Sequence, residues 1–427
     1  MGHAVTALII VGVTLVLMIC QTFPLIATVM LSAFAMGFAG VLEFSDILAQ
    51  FGTSAFFCVP GMMVVGGAMF ETGLAQYIGN GIMKWGRNSE KLFICLLICV
   101  VTLMSGFLSN TTCTAMFLPI ADMASRSTNG RISRKRTYMG IGIGATLGGC
   151  ATLVGSPSQH SMAQVLLETN GFELMPFFYG TLATLPMLAI VIVYYLTFGL
   201  KIADKHFGPE DSAFLASIPS GSACDSAQSK FTLKMATSGV ILLAVIVLIA
   251  SGVMSSGSAA LMGAVAVVLF RVVAPDEAIK SINLTVCIIL GGLLAVTEGF
   301  NNSGAGELVV DFVINIIGEN GSGFLAFALI MLAAMVLTNV LDNIAAQALL
   351  GSICISLAVH YGMNPRTMAF ALLFACNLAY GTPVGTPSLA MTLSAGYNFR
   401  DYLKLGGPLC IIGWLFTITV IPLIYGL

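Results

Sequence analysis

Between Thr181 and Leu200 the chain reads TLATLPMLAIVIVYYLTFGL, a full twenty residues without a charge. At 1.5 Å per residue, a helix of about that length crosses roughly 30 Å of hydrocarbon, and it satisfies its own backbone polar groups as it goes. Comparable stretches recur along the 427 residues. By this ruler, spans fall near 4–20, 24–42, 52–72, 137–154 (continuing to about 167), 176–200, 231–252, 257–274, 281–299, 366–396 (with a break) and 404–426. With 58% hydrophobic and 8% charged residues, the chain has too few polar side chains to cover a water-soluble globule. The sequence therefore predicts an all-α polytopic membrane protein with the lipid bilayer as its first partner. The opening MGHAVTALIIVGVTLVLMIC lacks a basic n-region and a cleavage site, and another apolar run follows, so it reads as a retained span.

Two apolar stretches, 92–124 and 323–358, exceed thirty residues and are interrupted by SGFLSNTT and LTNVLDN. Such interruptions predict pairs of half-helices that meet and turn back as re-entrant hairpins. Unwound backbone at membrane depth is tolerated only where it packs in protein or lines a wet cavity.

The loop SRSTNGRISRKR (125–136) carries Arg126, Arg131, Arg134, Lys135 and Arg136 without an acid, which places it in the cytoplasm by the positive-inside rule. If each assigned span crosses once, Lys201, Lys205, Lys230, Lys234, Arg271, Lys280, Arg400 and Lys404 fall on that same side. Glu168, Glu173, Glu298 and Glu307 then fall on the other, and the N-terminus lies outside the cell membrane. A basic loop in this setting does not indicate nucleic acid. The eleven cysteines form no CxxC pair and read as small buried hydrophobes.

The chain also repeats itself at an offset of about 230 to 233 residues. GGAMFETGLAQ (66–76) echoes the region from Gly291 to Gly306, and LMSGFLSNTTCTAMFLP (103–119) echoes AMVLTNVLDNIAAQALL (334–350). GATLGGCATLVGSPS (144–158) echoes FACNLAYGTPVGTPS (374–388). The expected organisation is a first repeat over 1–200, a Ser-, Gly- and Pro-rich cytoplasmic linker over 201–230, and a second repeat over 231–427. Because each repeat holds an odd number of spans, five, the second is inverted. Inverted repeats with matching broken helices mark a secondary transporter with a binding site near the midplane.

That site explains why Ser109, Asn110, Thr111, Thr112 and Thr114 crowd into an apolar stretch. A half-helix beginning at Ser109 offers backbone N–H groups and the positive end of its dipole to an anion. Hydroxyl, amide and freed carbonyl oxygens nearby can ligate a hard cation such as sodium. Lys or Arg would hold the anion but repel the cation, at several kcal/mol in the apolar interior. Capping and inter-helix bonding account for a single Ser or Thr. Two breaks at equivalent places favour ion binding.

At these residues the chain resembles the divalent anion:sodium symporters of the ion transporter superfamily. The likeness runs from VTALIIVGVTLVLM through GLAQYIG to NFRDYLKLGGP, and is most specific at Ser109-Asn110-Thr111 and at the LVGSPS and PVGTPS turns. The resemblance implies a homodimer, with a fixed scaffold and a mobile domain that moves as an elevator. It implies one sodium at Ser105, Ser109, Asn110 and Gly155, and a second at Thr338, Leu341 (by its carbonyl), Asn343 and Gly385. The anion would lie between them at Ser109, Asn110, Thr111, Ser156, Asn343 and Thr386.

Where the family has its second Ser-Asn-Thr, this chain has Asp342-Asn343-Ile344. Three roles are open to Asp342: an N-cap, an extra cation ligand, or a proton carrier. Ile344 removes one donor. His160 reads as interfacial, Glu71 and Glu298 as solvated span ends, and GIGIGATLGG (140–149) as close helix packing without the βαβ context of a dinucleotide loop. No Walker motif, HExxH, nucleophile elbow or paired carboxylate points to an enzyme or an organic cofactor. The sequence predicts a sodium-coupled symporter of a small anion, a di- or monocarboxylate or sulfate, in the cell membrane and carrying two or more sodium ions. Alternatives are a sodium/proton antiporter using Asp342 and a receptor or assembly subunit that moves nothing.

Overall fold

The computed structural model describes residues 2–20, 23–74, 77, 89–128, 130–206, 232–305, 308, 322–383 and 385–427. Regular structure among them is entirely helical. Among the described residues, six helices are long and apolar enough to cross a bilayer: Phe44–Glu71, Thr181–Ala203, Leu233–Ala250, Leu284–Asn302, Asn343–His360 and Phe399–Tyr425. Expected spans 24–42 and 257–274 are shorter than the sequence suggests, at Leu25–Phe38 and Ser256–Leu269, 14 residues each. Each is followed closely by a residue in the left-handed region, Gly40 and Arg271, and then by a short helix, Phe44–Ala49 or Pro275–Lys280.

Both interrupted stretches are helix pairs. The first hairpin is Glu90–Ser105 with Asn110–Ser127, and the second is Gly323–Thr338 with Asn343–His360, so the limbs are 16 and 18 residues in each. The turns close alike: the Leu108 amide donates to the Met104 carbonyl, and the Leu341 amide to that of Leu337. The broken helices are Arg134–Gly148 with Pro157–Thr169, and Pro365–Cys376 with Pro387–Thr392. Proline opens the second half of each because its missing N–H is an orphan at that position anyway.

Packing crosses between the halves of the chain. Pro157–Thr169 lies against Asn343–His360, while Pro387–Thr392 lies against Asn110–Ser127 and Arg134–Gly148. Ser54–Glu71 packs along Ser256–Leu269, and Leu284–Asn302 along Leu25–Phe38. Small residues allow these approaches: Ala260 backbone and Cβ atoms would lie 2.6 to 2.9 Å from a Cβ at Gly61. The GIGIGATLGG run packs closely, as expected. Arg136 holds Glu90 at 2.7 Å, and Arg366, at the equivalent start of the second broken helix, holds Glu173.

The chain remains helical beyond the expected linker boundary at 201. After a π-helical turn at Tyr195–Gly199 it runs on as Leu200–His206. The rest of that linker, Lys230, Glu307 and most of GLAQYIG lie outside the described residues. His160, read from the sequence as interfacial, is buried in the protein at 3% exposure with Nδ1 3.1 Å from the Ser156 carbonyl. Glu71 is exposed, whereas Glu298 is only half-buried and accepts from Asn302. Nine described cysteines are free, and seven of them are buried.

Candidate functional site

The two hairpin turns and the two helix breaks converge on one cavity of about 650 Å³. Ser109, Asn110 and Thr111 enter from the first hairpin, Ser156 from the first broken helix, Asn343 from the second hairpin and Thr386 from the second broken helix. All six residues assigned to the anion by resemblance therefore line the same space. The opposite wall comes from Val59, Met62 and Met63 of Ser54–Glu71 and from the segment Lys280–Val286.

Each hairpin turn is stitched to the neighbouring helix break by the same bonds. The Thr152 hydroxyl donates to the Gly106 carbonyl, and its counterpart Thr382 donates to that of Asn339. The Ser105 hydroxyl donates to Asn110 Oδ1 at 3.0 Å, and that of Thr338 meets the Asn343 amide at 2.7 Å. Asn110 Nδ2 then donates to Ser156 Oγ at 3.1 Å. That bond occupies a lone pair of the Ser156 oxygen and leaves its proton for another acceptor.

Around Asn343 the arrangement is oxygen-rich. One terminal atom of its amide faces Thr338 Oγ1 at 2.7 Å, Gly385 O at 3.0 Å and Cys376 O at 3.1 Å. An amide nitrogen there has acceptors for both of its hydrogens. Turned over, the amide makes four oxygens converge, a donor set suited to a hard cation.

The glycines are needed for this closeness. A Cβ at Gly155 would sit 2.7 Å from the Ser105 carbonyl oxygen, and one at Gly385 would collide with that of Thr338. Ser105 and Thr338 are fully buried behind the cavity, while Leu341, 4% exposed, sits in the turn itself. Thus Ser109, Asn110 and Gly155 line the cavity with Ser105 behind them, and Asn343 lines it with Thr338 and Gly385 behind.

Helix starts are capped differently in the two hairpins. Ser109 Oγ accepts from the Thr112 amide at 3.3 Å, so Ser109 is the cap and helix begins at Asn110. Asp342, at the equivalent place, accepts from the Ile344 amide at 2.9 Å. The N-cap role left open by the sequence is the one its carboxylate performs.

Among the described lining residues only Asp342 and Lys280 carry charge. Lys280, Asn283, Thr285, Gln159 and Ser388 line the cavity but were not singled out in the sequence as site residues. Lys280 reads there as a loop cation. The polar run KSINLT, just ahead of a span, is the signal that could have drawn attention to that wall.

A cavity at paired helix breaks, with polar side chains gathered there inside a bundle of apolar helices, is the arrangement expected of a transport protein. The chain belongs to the citrate transporter family, whose model matches residues 15–375 and 246–426. An uncharacterized transporter of Synechocystis is 31% identical over 165 residues, 38% of this chain but only 27% of that protein's length. The sodium-dependent dicarboxylate transporter SdcS of Staphylococcus aureus (strain USA300) is 21% identical over 452 residues, covering 96% of this chain and 84% of SdcS. The solved structure of Neisseria gonorrhoeae MtrF, described as one of a class of antimetabolite efflux pumps, superposes with a TM-score of 0.61 at 13% identity. It covers 88% of this chain and 82% of MtrF.

Proposed function

We propose that this protein is a sodium-coupled symporter of a small anion, a di- or monocarboxylate or sulfate, working by an elevator movement of the hairpins and broken helices past the remaining spans. The observation that carries this reading is the meeting of both hairpin starts in one cavity, each beside a tight cluster of oxygen atoms. One sodium is held by Ser105, Ser109, Asn110 and Gly155. The other is held by Thr338, the Leu341 carbonyl, Asn343 and Gly385, with the Asn343 amide turned to present oxygen. The anion lies between, on the Ser109-Asn110-Thr111 helix start, Ser156, Asn343 and Thr386, where its charge and that of the cations offset one another. The name of the SdcS relative supports sodium and a dicarboxylate.

The two inverted repeats, 1–200 and 231–427, supply one hairpin and one broken helix each. With Lys280 cytoplasmic by the positive-inside bias, the cavity faces the cytoplasm. The same bias sets the N-terminus outside, and we take the working unit to be a homodimer in the cell membrane. In proteoliposomes, labelled succinate, citrate or sulfate should accumulate only under an inward sodium gradient. Binding of these anions without flux under any gradient would instead support a receptor.

A further inference from the structure

We propose that Gln159 is a further substrate-binding residue, whose side-chain amide donates to an oxyanion of the cargo, with the Ser388 hydroxyl as a second donor from the other broken helix. Both residues line the cavity, at 4% and 1% exposure. Gln159 Nε2 and Ser388 Oγ are buried and have no partner in the protein. A buried amide or hydroxyl without a partner is costly, so native structures leave few of them unexplained.

The orientation of Gln159 is fixed from its other end. Its Oε1 accepts from Asn377 Nδ2 at 2.9 Å, which leaves the nitrogen as the free group. Its backbone carbonyl accepts from Gln347 Nε2 at 2.9 Å, which anchors the helix turn. Asn377 also donates to the Leu373 carbonyl at 3.0 Å, and its Oδ1 lies 3.4 Å from the Asn343 side-chain amide. Asn377 is therefore a positioning residue, linking Gln159 to the oxygen-rich cluster at Asn343.

Chemistry and place agree. An amide nitrogen is a donor only, so it recognises an anion and not a metal cation. The second hairpin offers fewer donors than the first: Ile344 has no polar side chain and its amide is taken by Asp342. Gln159 has Leu389 as its counterpart in the second repeat, so this donor breaks the pseudosymmetry. A carboxylate has two oxygens, one for an amide donor and one for a hydroxyl.

This inference rests on the anion-carrier reading, and the test separates the two. Sodium-driven uptake of labelled citrate and succinate is measured for the full chain in proteoliposomes, with Gln159→Leu, Gln159→Glu and Ser388→Ala alongside. Gln159→Leu should raise the anion KM about tenfold or more, as expected for losing a hydrogen bond to a charged group. The sodium-induced rise in melting temperature, measured without anion, should persist, because Gln159 itself is not a sodium ligand. Gln159→Glu, which aims a carboxylate at the cargo, should abolish uptake. Ser388→Ala, the smallest change, should raise KM severalfold and serves if a Gln159 variant fails to fold. An unchanged KM in Gln159→Leu or, where that variant does not fold, in Ser388→Ala overturns the inference and leaves the carrier reading intact. If the unaltered protein neither takes up citrate or succinate nor is stabilised by them, the carrier reading fails for these carboxylates and the inference falls with it.

Discussion

Asp342 is the residue whose chemistry the sequence left most open, and its geometry narrows it. A carboxylate that accepts from the Ile344 amide at 2.9 Å is capping its own helix. Aspartate and asparagine cap about equally well, whereas replacing either with alanine costs about 1 kcal/mol. Asp342→Asn should accordingly melt within a degree or two of the unaltered protein, and Asp342→Ala should melt lower; thermal denaturation in detergent reads both. The antiporter reading makes a different demand. If Asp342 were an exchanging carboxylate, sodium-driven proton movement without any anion would be seen, and Asp342→Asn would remove it. The capping role predicts that no such exchange is observed in either protein. At Asn343, replacement by leucine removes the amide that faces the Thr338, Gly385 and Cys376 oxygens and leaves the fully buried Thr338 hydroxyl its bond to the Cys376 carbonyl. Sodium-dependent thermal stabilisation should weaken by about tenfold or more in apparent affinity, by the tenfold-per-1.4 kcal/mol rule.

The hairpin turns and helix breaks act as elements because they are pinned to each other twice over. Thr152 and Thr382 hold the turns from the breaks, and Gly155 and Gly385 let carbonyl oxygens of Ser105 and Thr338 come close. A methyl group at either glycine must push backbone, not the far end of a flexible side chain. Gly155→Ala and Gly385→Ala should therefore reduce sodium-driven uptake to the level of empty liposomes, at concentrations where the unaltered protein is saturated. A milder loss would mean the turns can shift without disturbing the ions. The breaks themselves were legible from SGFLSNTT and LTNVLDN, since a run of small polar residues at matching places in two stretches of thirty apolar ones is more than single caps or inter-helix bonds account for. What was not legible was the burial of His160, because one amphipathic side chain in a helix gives no sign of which neighbour will cover it. Nor were the short spans Leu25–Phe38 and Ser256–Leu269 legible, since hydropathy continues where backbone turns at Gly40 and Arg271 end the helix.

For the whole molecule, the charge moved per cycle decides how the membrane potential acts. Two sodium ions with a dianion carry no net charge, so an inside-negative potential of about 100 mV should leave initial succinate uptake unchanged near neutral pH. The same two ions with fully ionised citrate move one net negative charge inward, against about 2.3 kcal/mol per 100 mV. Uptake of citrate above pH 7 should fall as a potassium diffusion potential is made more negative inside. An increase for both would point to a third cation. The span class and the two interrupted stretches could be taken from the sequence, because hydropathy and its breaks are written along one dimension. Membership of one cavity could not. That Gln159 meets Asn377 across 218 positions, and that Lys280 and Thr285 form the facing wall, follows from how helices distant in sequence pack. Apolar patterning determines that a segment enters the membrane, since that is a transfer between two solvents. Which segments then touch is decided by the fit of small residues and buried polar bonds, and only the assembled fold brings those together.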